Sequence, residues 1–390
     1  MLRLYNAMTQ KKEPVPERAG IYVCGITPYN VAHLGHASLY VFYDVLIRYL
    51  HSIGRRTLYV QNVTDIDDDV LKKAKETGKD WRQLGNENTR YFLTQMDAVG
   101  NERPDIYCRA TDHVPEMIRI IADLIGKSMA YEINGHVYFS VSGFRGFGKL
   151  SKLKKNEMLA VANERGNNPD DKNKKNPMDF VLWQRSAEGE PSWDSPWSKG
   201  RPGWHIECTA MARKYLKNVA IHGGGGDLAF PHHECEIAQC PAVYHGTIWA
   251  HQAMVFYQGR KMSKSLGNLV MVEDLLKKYS VNAVRMAILL HHYREEWEFS
   301  EAEMRKAAEL GKKLNSIWDM QSGTAPFDSS SYEKDFFALL DDDMQTGAAL
   351  QALRKLSEAV SSGKNISSAK AFMTRAFNIL GIRPEWQGDF

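Results

Sequence analysis

Gly20-Ile21-Tyr22-Val23-Cys24-Gly25-Ile26-Thr27-Pro28-Tyr29, followed closely by His33-Leu34-Gly35-His36-Ala37, decides how this chain reads. The opening residues are β-rich and Gly25 onward breaks the strand. From Ala37 to Leu50 apolar side chains return at Leu39, Val41, Phe42, Val45, Leu46 and Leu50 with helical recurrence. A strand, a glycine turn and a helix put His33 and His36 where the helix begins. Exposed backbone N–H groups and the helix dipole favour a phosphate there, and two imidazoles add directed donors. Gly35 lets a nucleotide approach the backbone closely. The plainer reading, two capping or surface histidines, stands beside it.

A second strand, Thr57-Leu58-Tyr59-Val60-Gln61, runs into Asn62-Val63-Thr64-Asp65-Ile66-Asp67-Asp68-Asp69. Open parallel sheets bind ligands beyond the carboxyl ends of their strands, which places Thr64 and Asp65 to meet a substrate. Asp67 to Asp69 read as a helix cap and first turn rather than a metal site. Residues 71–198 look inserted into the sheet. They carry helical patterns at Trp81 to Val99 and Val114 to Ile125, and a β-like run at Gly135 to Val141. The almost wholly polar stretch Asn163 to Asn176 reads as a surface loop, with Lys172, Lys174 and Lys175 as a solvated face.

At 390 residues and 43% hydrophobic content, the chain can bury a sizeable core and divides into two or three domains. Fifty Lys and Arg against 47 Asp and Glu leave a formal charge of +3, so no global basic field announces nucleic acid. No run approaches the ~20 apolar residues of a membrane span, and the N-terminus does not resemble a signal peptide. Five cysteines at irregular spacing argue against a disulfide framework and leave thiols free for metal work. A cytoplasmic protein without membrane partners is expected.

The chemistry resumes at Gly200-Arg201-Pro202-Gly203-Trp204-His205-Ile206-Glu207-Cys208. Thiols of Cys24, Cys208 and Cys235, imidazoles of His232 and His233, and the carboxylate of Glu236 are candidate ligands of a tetrahedral zinc. His232 and Glu236 share a face if their segment is helical. Spacing alone does not choose among these groups. Ile221-His222-Gly223-Gly224-Gly225-Gly226-Asp227-Leu228 reads as a strand followed by glycines that let the backbone lie flat against a ligand, with Asp227 available to a ribose hydroxyl. Downstream, Lys261-Met262-Ser263-Lys264-Ser265 supplies two ammonium groups. With His33 to His36 it completes an apparatus for stabilising charge on a transferring phosphorus.

In order along the chain, Val23 to Tyr29, His33 to His36, Tyr59 to Asp68, Pro202 to Cys208, Phe230-Pro231-His232-His233-Glu234 and Lys261 to Ser265 resemble the blocks of the cysteinyl-tRNA synthetase family, a class I aminoacyl-tRNA synthetase family. The match runs from the N-terminus to about Ser300. The resemblance implies an α/β fold, a Rossmann-like doubly wound parallel sheet of the class I (HUP) type. An inserted connective α/β domain and a C-terminal α-helical bundle complete it. It implies zinc, one per chain, on Cys24, Cys208, His232 and Glu236, and a cysteine pocket framed by Cys24, Gly25, Thr64 and Trp204. It further implies ATP contacts from Thr27, His33, Gly35, His36, Gly224, Asp227 and Lys264, with Mg²⁺ accompanying the nucleotide. His33, His36, Lys261 and Lys264 become the catalytic groups. A zinc-bound thiolate would separate cysteine from serine, which pocket shape alone rejects weakly.

The implied domains are 1–70 with 199–290 (two catalytic halves), 71–198 (connective insertion), 291–318 (a stem-contact-like linker after the 261–265 loop) and 319–390 (helical bundle). Within the last, helical pattern resumes from Phe336 to Leu380, and Leu340-Asp341-Asp342-Asp343-Met344 reads as the opening of a helix. No small anticodon-reading domain is expected, which makes this a short form. The implied partners of a monomer are ATP, L-cysteine and tRNA(Cys). The cysteine ligase of mycothiol biosynthesis, which joins cysteine to an amino-sugar, is the rival acceptor class, similar in Ile26 to Tyr29 and in the loop from Glu164-Arg165-Gly166 to Asp170.

Overall fold

The computed structural model describes residues 1–29, 32–262, 266–361 and 363–384. Five parallel strands form its central sheet: β1 (Arg18–Ile26), β2 (Arg56–Val63), β3 (Ile106–Arg109), β4 (Ile221–Gly225) and β5 (Ile248–Gln252). They lie side by side in the order 3-2-1-4-5. That order reverses direction between β1 and β4, opening a crevice beyond their carboxyl ends.

The sheet is buried on both faces, and β1 shows why. Ile21 and Val23 join the core that contains Tyr43, Leu46 and Leu50 of α1 (Leu34–Ser52). Tyr22 and Cys24, pointing the other way, join a second core with Ile206, Cys208 and Met211. A nearly continuous apolar strand is what two covered faces require. The expected doubly wound α/β architecture is the one observed.

Helices Asp68–Thr77 and Trp81–Ala98 connect β2 to β3. Asp67 caps the first, accepting from the Asp69 N–H at 2.8 Å, in keeping with the capping reading. β3 pairs with β2, so the stretch 71–198, read as an insertion, contributes an edge strand to the main sheet. Material outside that sheet begins after β3 with the helix Val114–Gly126. It continues through a four-stranded antiparallel sheet of Ala130–Ile133, His136–Phe139, Phe180–Arg185 and Gly200–Pro202. Helix α2 (Lys155–Glu164) and an irregular polar segment lie between its second and third strands. In that segment Lys174 is half-buried on Asn167 Oδ1 at 2.5 Å, so it is not part of a freely solvated face. Helices α3 (Trp204–Tyr215) and α4 (His232–Gln239) flank β4.

The C-terminal helices Glu301–Asp319, Ser330–Asp341, Thr346–Ala359 and Ser367–Leu380 place Leu314, Phe336, Leu353, Phe372 and Phe377 in the same core as α1. Arg285, fully buried, ties these parts together. It pairs with Asp44 on α1 and donates to Asn101 Oδ1 at 2.8 Å, the Val99 carbonyl at 3.0 Å and the Leu380 carbonyl at 3.0 and 3.2 Å. Leu340 to Met344 does not open a helix. Asp341 ends one, and Asp343 and Met344 adopt left-handed φ of 66° and 53° before the next begins at Thr346. The buried Asp343 carboxylate holds that turn, accepting from the Tyr5 N–H at 2.8 Å, Tyr293 Oη at 2.7 Å and Arg294 Nε at 2.9 Å. No described helix is long and apolar enough to cross a membrane.

Candidate active site

Cys24 stands near the end of β1, where pairing with β2 shifts register between Val23 and Ile26. The Gly25 N–H donates to Asn62 Oδ1 at 2.8 Å. A Cβ at Gly25 would lie 1.5 Å from the Asn62 carbonyl oxygen, so the close approach that aims Cys24 needs glycine. Cys208 lies one turn along α3 from Trp204, and His232 one turn along α4 from Glu236. Thr64, buried just past β2, donates its N–H to the Ile26 carbonyl at 3.0 Å.

These elements bring Cys24, Cys208, His232 and Glu236 together, all buried, with ligand atoms within 4.8 Å of one another. Cys24 Sγ is 3.8 Å from Cys208 Sγ and 3.8 Å from Glu236 Oε1, and His232 Nε2 is 3.3 Å from Glu236 Oε1. The Trp204 ring covers His232, centroids 4.5 Å apart. Two thiols, an imidazole and a carboxylate in this arrangement can hold a metal ion.

Electrostatics favour the ionised forms of Cys208 and Glu236 and the neutral thiol of Cys24. The Cys24 thiol donates to Cys208 and holds that thiol down at about 6, against burial and with help from His232. Burial and the neighbouring Cys208 push Cys24 itself well up. Burial would raise Glu236, but the His222 and His232 imidazoles and the Tyr244 hydroxyl keep it below its ordinary value. Burial would lower His232, but the charge and hydrogen bond of Cys208 raise it.

A second donor set, Cys24, His222, His233 and Glu236, shares two members with the first. His222 Nε2 is 3.2 Å from Glu236 Oε1 and His233 Nε2 is 3.4 Å from Cys24 Sγ. His233 Nδ1 meets His251 Nε2 at 2.9 Å, and Tyr244 Oη donates to Glu236 Oε2 at 2.6 Å. No local signal in the sequence marks His222, Tyr244 or His251, which are delivered by β4, by the turn before β5 and by β5 itself.

The residues expected to meet the nucleotide are arranged differently. His33 is the N-cap of α1: its Nδ1 accepts from the Gly35 N–H at 3.1 Å, while His36 Nδ1 accepts from the His33 N–H at 3.4 Å. The rings stack 3.9 Å apart. Both histidines therefore cap the helix while standing at its N-terminus. A Cβ on Gly35 would meet the His33 ring at 2.9 Å, a reason for glycine that lies in the cap itself. Thr27 follows β1 directly. Gly224 lies inside β4 rather than after it, and Asp227 follows in the short turn Gly226–Ala229. Asp227 Oδ2 meets Lys261 Nζ at 3.1 Å, joining the residue expected at the ribose to one expected among the catalytic groups. Lys264 lies outside the described residues.

The family model for the class I (C) tRNA synthetase catalytic domain matches residues 10–309. The chain belongs to this family. It is 42% identical to the Cysteine--tRNA ligase of Thermococcus onnurineus over 384 residues, which span 92% of this chain and 80% of that protein. It is 40% identical to the Haemophilus influenzae Cysteine--tRNA ligase over 381 residues, 95% of this chain and 82% of the relative. Among solved structures, Mycobacterium tuberculosis methionyl-tRNA synthetase in complex with methionyl-adenylate shares the fold, with a TM-score of 0.62 at 14% identity over 93% of this chain and 88% of that one. Thermus thermophilus arginyl-tRNA synthetase does so with a TM-score of 0.56 at 13% identity, covering 97% and 84%.

Proposed function

We infer that this chain activates L-cysteine on ATP and transfers the cysteinyl group to tRNA(Cys). The observation that carries the reading is the buried cluster of Cys24, Cys208, His232 and Glu236, built from the end of β1 and from α3 and α4, the helices that flank β4. The two Cysteine--tRNA ligases, at 40–42% identity over more than nine-tenths of the chain, support the same substrate.

The donor set fits zinc. Bond lengths of about 2.0–2.3 Å place tetrahedral ligand atoms about 3.3–3.8 Å apart; His232–Glu236, Cys24–Cys208 and Cys24–Glu236 stand at 3.3, 3.8 and 3.8 Å, and all four ligand atoms lie within 4.8 Å of one another. Zinc bound there supplies a thiophilic Lewis acid that favours the deprotonated sulfur of cysteine over the hydroxyl of serine. Thr64 and Trp204 frame the amino-acid side chain, and the Gly25 segment borders it. The cysteine carboxylate attacks the α-phosphorus of ATP and pyrophosphate leaves, with Mg²⁺ accompanying the nucleotide. His33 and His36 present ring N–H donors to the charge that develops on phosphorus, beside the positive end of α1. Thr27, Gly35 and Gly224 border the nucleotide, Asp227 takes the ribose, and Lys261 and Lys264 draw the departing phosphates. The tRNA acceptor then attacks the adenylate carbonyl and AMP leaves. All five cysteines are free thiols, in keeping with a reducing compartment, and we assign a monomer to the cytoplasm.

The test is an acceptor assay. Purified protein, ATP and labelled cysteine are offered tRNA or glucosaminyl-inositol, with cysteine-dependent ATP–pyrophosphate exchange measured alongside. Label on tRNA supports the reading; an amide product on the amino-sugar overturns the acceptor, and no exchange overturns the activity.

A further inference from the structure

The segment from Phe147 to Arg165 belongs to neither the central sheet nor the donor cluster, yet it grips the chain between them at three points. Met158 and Ala162 of α2 form a small separate core with Phe230. The Glu234 carboxylate, fully buried on α4 between the ligands His232 and Glu236, accepts from the Leu150 N–H at 3.1 Å and the Ser151 N–H at 3.0 Å. The third grip is Arg165, which ends α2 and whose Nη1 donates to the carbonyl oxygens of both Asp227 and Phe230.

Those two carbonyls are the ends of the span that presents Asp227. A guanidinium is planar and permanently charged, and it gives stronger hydrogen bonds than a neutral donor. One nitrogen shared between the two carbonyls fixes the direction of the turn, while the Met158–Phe230 contact supplies packing without direction. The Asp227 carboxylate is thereby left to its own partners, at present Lys261.

We propose that Arg165 is a positioning residue for the nucleotide: by holding the carbonyls of Asp227 and Phe230 it aims the Asp227 carboxylate at the ATP ribose. The proposal rests on the reading above, in which Asp227 takes the ribose. Through Arg165 the connective segment sets nucleotide recognition, and through Glu234 it braces the helix that carries two of the four donors.

Cysteine-dependent pyrophosphate exchange tests this with ATP and 2′,3′-dideoxy-ATP as competing substrates, in the full chain and in R165M, R165K, D227N and M158A. R165M is expected to lose about tenfold of the kcat/KM preference for ATP, the worth of one hydrogen bond to a charged group. Its KM for cysteine and its metal content are expected to stay unchanged. R165K, which can still reach a carbonyl, is expected to recover part of the preference. M158A is expected to lower the melting temperature and leave the preference intact. If D227N keeps the ribose preference, the proposal falls with the assignment of Asp227. If D227N loses it while R165M keeps it, or if M158A abolishes it as fully as R165M does, Arg165 is only structural and the proposal fails. Should R165M not fold, R165K carries the test: full ribose preference at reduced stability would overturn the proposal. Exchange by the unaltered chain reports separately on the activity itself.

Discussion

Cys24, Cys208, His232 and Glu236 meet as buried side chains braced by Tyr244 and His222, whereas Asp227 and Lys261 meet at a surface where their side chains are 38% and 44% exposed. The first cluster stands assembled, its donors carried by the strand β1 and the helices α3 and α4. The second is a solvent-screened pair between the Gly226–Ala229 turn and the two-residue strand Arg260–Lys261, worth little by itself. The buried cluster and the exposed pair thus differ in how much protein structure each would disturb if it exchanged partners.

The largest expected effect separates the two overlapping donor sets. C208A removes a donor from the first set only and is expected to abolish stoichiometric metal and cut cysteine-dependent exchange more than about a hundredfold, beyond the usual cost of losing an outer partner. Metal analysis per chain together with exchange kinetics checks this; full metal in C208A would hand the site to His222 and His233. H36A comes next, with exchange about a hundredfold slower and the KM for cysteine unchanged. A matching rise in that KM would contradict a role confined to the phosphorus. Y244F strips one hydrogen bond from Glu236 and is expected to weaken metal binding about tenfold, read by competition with a chelator. The smallest effect belongs to the stability of D227N. An exposed ion pair contributes at most about 1 kcal/mol before screening, so the melting temperature of this variant is expected to stay put while its KM for ATP rises. A clear drop in melting temperature would show that the nucleotide side is as rigid as the donor cluster.

β1, α1 and β2 were legible because each is long enough for its apolar pattern to show. β3 was not, because Ile106 to Arg109 is a four-residue edge strand between helices, and it was absorbed into the apparent insertion. The turn at Asp342 to Met344 resembled a helix start in composition, since acidic residues before apolar ones usually cap. Here Asp343 turns inward to bond Tyr293 and Arg294 instead. In the site, the choice of four donors among six candidates came from family resemblance, and the structure brings those four together. His222 escaped notice because its closeness to Glu236 depends on β4 lying beside β1 with α4 packed above it. The capping bonds of His33 and His36 agree with the plainer reading and remain compatible with the catalytic one, since each ring has a second nitrogen.

Burial of Arg285 makes the last helix more than an appendage. Its guanidinium has traded water for Asp44 and for the carbonyl that closes the helix Ser367–Leu380, so peeling that helix away would strip two hydrogen bonds from a charge whose ion pair lies on α1. Catalytic sheet and helical tail should accordingly melt as one cooperative unit, and a strain pulling on the tail would be felt at the helix that bears His36.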